Sequence, residues 1–206
     1  MLKHSAFAMA CAVILAGPAT ARASAVLDFG TGLAGQGGTI TLKNGVITGK
    51  NIFIDAFIVA GDPGHDNVYN IDGSGRGHAG PAALFNFTTG PSGGSMSIVG
   101  RIPGLGITSN IPLITSGTFS SWTFNPANGY FSGSGLDVIN PILLTALGIP
   151  TNTQFEFFGF ASFFGKNHNV ISTDFRTNPV VPEPASMLLV GTGIVAVLRR
   201  RRRSIA

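Results

Sequence analysis

The chain has 206 residues, with 13 Lys and Arg against 9 Asp and Glu, a formal net charge of +4 and a pI near 9.7. Seven of those cations sit at the ends (Lys3, Arg22 and the run Arg199 to Arg203), and between residues 26 and 181 six basic side chains face eight acidic ones. This distribution excludes a nucleic-acid binder that works by counterion release; the single cysteine, Cys11, precedes the body and so excludes from it a disulfide or a cysteine-based zinc site.

Residues 1–25 read as a secretory signal peptide. A basic start with Lys3 is followed by the apolar run Ala6 to Ala16, then Gly17-Pro18 and the small residues of Ala21-Arg22-Ala23-Ser24-Ala25. The expected cleavage is after Ala25, with Ala23 as the second site. The run is too short for a retained anchor, which needs about 20 apolar residues. Cys11 lies in mid-run without a Leu-led small-residue box, so no lipoprotein signal is expected. The implied route is export through the general secretion machinery.

Residues 26–179 are long enough for one domain with its own core. They hold 26 of the 29 glycines, a content that alone would suggest disorder, but also 15 of the 16 phenylalanines, which argue for a packed interior. The phenylalanines recur in short segments separated by turn residues. The expected fold is all-β, a single jelly-roll-like β-sandwich with one short crossover helix.

In chain order, Thr39 to Leu42 and Val46 to Thr48 flank Lys43-Asn44-Gly45 and form a hairpin, because Asn-Gly supplies the positive φ angles of a type I′ turn. Ile52 to Val59 is apolar on both parities and reads as a central strand covered on both faces. Further strands are expected at Ala83 to Thr88, Ser95 to Gly100, Leu113 to Phe124, Gln154 to Phe164 and Val170 to Phe175. Asn140 caps a helix that Pro141 starts, Ile142 to Leu147 propagates and Gly148 ends.

The polar stretch Asp62 to His78 is the one cluster with metal-binding potential. Asn70, Asp72 and Ser74 before Gly75 imitate the start of a calcium loop, but an EF-hand needs a bidentate acid at position twelve, where Pro81 stands. Two readings stand: a non-EF Ca²⁺ site on Asp62, Asp66 and Asp72, or Asx turns in a surface loop. His65, Asp66 and His78 lack a third strong ligand for zinc at a recognisable spacing. Gly73-x-Gly75-x-Gly77 has no Lys-Ser/Thr and no following helix, and Ser134 and Ser95 do not stand in a Gly-x-Ser-x-Gly frame. Asp66 and Glu156 are the acids that a secreted hydrolase would need to bring together. Trp122 and Tyr130 flank a turn at Asn125 to Gly129, where exposed rings can stack on sugars; core or rim packing is the alternative.

At the C-terminus, Val180-Val181-Pro182-Glu183-Pro184 leads into the apolar run Ala185 to Leu198 and then Arg199, Arg200, Arg201, Arg202 and Arg203. Fourteen helical residues reach only about 21 Å, so this is a marginal span that borrows length from Val180-Val181 or from snorkelling arginines. Arginines beside a span stay cytoplasmic, which places Pro182-Glu183-Pro184 outside, held extended by its prolines. This order of motif, short apolar helix and arginine cluster over residues 180–206 resembles the PEP-CTERM sorting signal of Gram-negative bacteria. The resemblance implies recognition by an exosortase, an integral-membrane protease or transpeptidase, in hosts that make exopolysaccharide. Ser172 to Asn178 is similar to the Ser-Thr-Asp lead-in of several such proteins.

The expected protein is thus an exported, non-enzymatic component of the cell envelope or exopolysaccharide matrix, membrane-inserted as a precursor. No cofactor is expected apart from Ca²⁺ in the first loop reading. A secreted carbohydrate-binding module and a secreted hydrolase are the rival functions.

Overall fold

The computed structural model describes residues 25–32, 36–61, 67–77, 80–90, 93–164 and 168–180. They are almost all strand: β1 (Val26–Gly30), β2 (Thr39–Lys43), β3 (Val46–Ile54), β4 (Ala56–Ala60), β5 (Asn67–Asn70), β6 (Gly75–Gly77), β7 (Gly80–Thr88), β8 (Ser95–Ile102), β9 (Ile107–Asn125), β10 (Tyr130–Ile139), β11 (Phe155–Phe164) and β12 (Asn169–Pro179). One helix, α1 (Pro141–Ala146), and a single 3₁₀ turn at Pro103–Leu105 interrupt them.

The all-β class holds, but the sheets do not face each other as a sandwich. The order β11-β10-β9-β8-β7-β3-β2-β12 returns to β11, which pairs with β12 from Phe155↔Pro179 to Phe164↔Asn169, so eight antiparallel strands close a barrel. Closure removes the edges that a sandwich would leave open. The seam between β2 and β12 is narrow. Asn169 faces Thr39, the Ile40 N–H donates to the His168 carbonyl at 3.0 Å, and the Val170 N–H donates to the Gly38 carbonyl at 3.1 Å. Beyond this seam β12 runs against β1, β1 against β4 and β4 against β5, and the backbone of Asp72 then bonds that of Arg101 on β8.

The lumen is solid. Ten phenylalanines are buried, and Phe85, Phe87, Phe119, Phe157 and Phe175 form a closed circuit with ring centroids 5.1–5.7 Å apart. The space they leave is only about 10 Å³, no more than one water requires. Each buried ring contributes roughly 2–3 kcal/mol through burial, with about 0.5–1.5 kcal/mol more for each well-placed aromatic pair. Glycines make the room. A Cβ on Gly49 would lie 2.1 Å from Phe87, one on Gly133 would lie 2.7 Å from Phe119, and one on Gly159 would lie 3.1 Å from Phe175.

The Asn44-Gly45 hairpin is present, with φ of 52° and 75° at its two central residues. The expected strand from Ile52 to Val59 is instead two, broken at Asp55, whose N–H donates to the Gly30 carbonyl at 3.2 Å and whose carbonyl accepts from Ile71 at 3.0 Å. Its double-sided apolarity has a local cause: Phe53 points outward and is covered by the backbone of Gly37 and Gly75. The helix also departs from expectation. Asn140 caps it, accepting from the Ile142 N–H at 2.8 Å, but α1 joins the antiparallel neighbours β10 and β11 and so makes no crossover; it packs Leu143, Leu144 and Leu147 into the core. Ser172 to Asn178 lies within β12, paired on both sides, and belongs to the barrel wall.

Gly49 has an ordinary strand φ, so Gly49→Val carries no turn penalty and isolates the clash with Phe87. Chemical denaturation should show a loss of about 1–3 kcal/mol, and Gly49→Val with Phe87→Leu should recover part of it. Strictly additive losses would show that ring volume does not set this position.

Candidate functional site

A depression of about 730 Å³ lies over the β2–β12 seam. A register shift between Gly49 and Ile52 creates one of its walls: Asn51 takes φ 51°, its N–H donates to Asn86 Oδ1 at 2.9 Å, and Lys50 and Asn51 both turn outward. Phe53 and Leu84 supply apolar surface; Gln36, Asn169 and Ser74 add polar groups, and Arg76 adds a second cation. Arg76 and Ser74 also border an adjoining depression of about 470 Å³ that Arg101 lines. Three of the six cations of the body therefore surround one connected surface, with amides beside them and, among the described lining residues, no carboxylate. Such a surface can hold a polar, anionic or hydroxyl-rich chain.

Asp72 stands behind it, 3.6 Å from Nε of Arg101 as well as bonded to it through the backbone. Asp62, Asp66, His65 and His78 lie outside the described residues, as do Pro182 to Pro184 and Arg199 to Arg203. Among the described residues no group of three metal-ligating side chains occurs, and no helix is long and apolar enough to cross a membrane. Glu156 is exposed on the outer face of β11.

Trp122 is 41% exposed. The hairpin register pairs Tyr130 with Asn125, Phe131 with Phe124 and Gly133 with Trp122. Opposite residues share a face and successive ones alternate, so Trp122 and Tyr130 lie on opposite faces of the sheet. They do not form a common stacking platform. The end of this hairpin is an aromatic cluster instead, with Phe124 stacked on Phe163 at 5.3 Å and His168 edge-on to both.

The most perturbed described acid is Asp137, which faces the lumen from β10. Burial pushes its carboxyl up to about 7, against donation from the Thr177 hydroxyl to Oδ1 at 2.9 Å, while Oδ2 is buried without a hydrogen bond. Sequence reasoning alone identifies neither the groove nor Asp137. For Asp137 a signal exists, since it interrupts the apolar run Leu136-Asp137-Val138-Ile139. At the outer surface Arg176 donates to Asp28 Oδ2 at 3.0 Å, and partial burial followed by the Asp28 carboxylate raises Asp174, against the pull of Arg176.

A family model described as the PEP-CTERM protein-sorting motif matches residues 180–203. The chain therefore carries a PEP-CTERM sorting motif, which supports export and sorting by exosortase. No curated protein and no solved structure matches it. The match meets the barrel without a spacer: Val180, its first residue, donates its N–H to the Gln154 carbonyl at 2.8 Å, directly after β12 ends at Pro179.

An acid whose folded-state pKa lies above its unfolded value of 3.8 binds more protons when folded, so its contribution to stability falls as pH rises from about 4 to about 7 and is flat above. Urea unfolding at pH 5 and pH 8 should show this loss, on the order of 2–4 kcal/mol across the full window. Asp137→Asn should flatten the slope and be the more stable form at pH 8; an unchanged slope would place the titration elsewhere.

Proposed function

We propose that this barrel is a non-catalytic component of the cell envelope or exopolysaccharide matrix, delivered there after exosortase processes the C-terminal signal. The observation that carries the reading is the sorting motif over residues 180–203, directly abutting a closed, fully packed domain. The signal peptide at residues 1–25 brings the chain across the inner membrane, Arg199 to Arg203 hold the inner end of the tail, and Pro182-Glu183-Pro184 stands outside within reach of the enzyme.

A carbohydrate-binding role for the body is the second reading, favoured by the groove over the seam rather than by Trp122 and Tyr130. Amides orient hydroxyl groups, Lys50 and Arg76 attract carboxylates, and Phe53 and Leu84 accept the apolar face of a sugar.

Intact-mass measurement of the protein from its native host tests the first reading. The mature species should lack residues 182–206 together with residues 1–25, shifting its formal charge from +4 to about −2. Replacing Pro182, Glu183 and Pro184 by alanine should leave an inserted, unprocessed chain. Residues 182–206 retained in nearly all wild-type molecules would reduce the tail to a plain anchor.

For the second reading, Lys50→Ala with Arg76→Ala should lower retention on the host's own acidic polysaccharide about tenfold, as expected for loss of two charge-assisted contacts. Equal retention by both forms would remove the groove from consideration.

A further inference from the structure

Five large apolar side chains among the described residues are more than half exposed, and four of them lie at one place. Leu136 and Val138 stand on the outer face of β10, Phe158 on that of β11, and Ile142 in the first turn of α1; their exposures are 55–58%. Leu136 is opposite Glu156, which makes Phe158 its diagonal neighbour across β10 and β11. Next along the sheet, Glu156 faces Asn178 and Phe155 faces Pro179 on β12. The chain thus leaves the barrel two strands from Leu136, about 10 Å away at ordinary strand spacing.

The tether beyond that exit is short. Only residues 181–184 separate Val180 from the apolar run of residues 185–198, and four extended residues reach about 14 Å. A barrel held so closely to an inserted helix cannot stand clear of the lipid, and the patch lies on the side where the tether emerges. Contiguous exposed apolar surface of this kind marks an interaction site.

We propose that in the inserted precursor Leu136, Val138, Ile142 and Phe158 rest in the outer interfacial layer of the bilayer. The contact fixes the barrel's orientation while Pro182-Glu183-Pro184 is being processed. Glu156 within the patch, and the Arg176–Asp28 pair at the border beside Phe158, hold the contact at headgroup depth. The inference rests on the reading of residues 185–198 as an inserted helix. The occupant is lipid, and its withdrawal when the tail is cut leaves the patch to water.

The test uses the full chain in phosphatidylethanolamine–phosphatidylglycerol vesicles, with Trp122→Phe removing the native fluorophore. Leu136→Trp reports on the patch. Leu42→Trp reports on the opposite end of the barrel, beside the Asn44-Gly45 turn, where the native leucine is 49% exposed. Lipids brominated near the headgroup should quench the tryptophan at 136 roughly twofold more than that at 42, as for an apolar surface seated in the interface. Val138→Trp should repeat the result if Leu136→Trp perturbs folding. Chains that float with the vesicles but show equal quenching at 136, 138 and 42 would overturn the lipid contact alone. Chains that fail to float would overturn both the contact and the inserted-tail reading. Protection at 136 that grows with chain concentration without lipid would assign the patch to a second copy.

Discussion

Filling a closed barrel with phenylalanine rings is the constraint on which the rest of this molecule depends. The lumen of an eight-stranded barrel is just wide enough for side chains, and here a circuit of rings through Phe85, Phe87, Phe119, Phe157 and Phe175 occupies it. Rings of that size fit only where the opposite wall is flat. Gly49, Gly133 and Gly159 provide the flat places, each with its own ring against it. Large and small residues therefore alternate across the lumen, and the glycine content that suggests disorder in the sequence is a property of close packing. The void left between these rings is about 10 Å³, room for no more than one water.

The wall around this packed lumen is irregular in places. The strand run breaks at Asp55 and pairing narrows at the β2–β12 contact, and Gly37 and Gly75 of β6 lie against Phe53. A bulge at Lys50 and Asn51 turns two polar side chains into the resulting groove. Inside the wall, Asp137 is the one buried acid among the described residues. Its contact with Thr177 bridges β10 to β12, across β11, at the cost of a raised carboxyl pKa.

The barrel and the matched sorting motif share a junction at Val180. Because Val180 is still hydrogen-bonded to Gln154, the rigid body extends to the first residue of the matched motif. The exit of the chain from the barrel therefore lies at the rim formed with β11, one strand from β10. The placement of apolar side chains at that rim and the shortness of the intervening chain are two consequences of the same junction.

The sequence by itself determined the C-terminal sorting motif, the all-β class and the local turns, since these depend on contiguous residues. Pro182-Glu183-Pro184 before an apolar run and arginines is legible without a fold. So is Asn44-Gly45, whose φ preferences are intrinsic, and the Asn140-Pro141 helix start. Strand β10 was not legible, because Tyr130 to Ile139 alternates phenylalanine, glycine and aspartate on its inner face in place of a periodic apolar signal. Nor was closure into a barrel rather than a sandwich, which depends on β11 meeting β12 and on one contact between Thr39 and Asn169. The groove, the Asp137–Thr177 pair and the patch around Leu136 join residues from strands far apart in the chain. Only tertiary structure decided them, because pairing and register across the sheet, not spacing along the chain, select which side chains share a face.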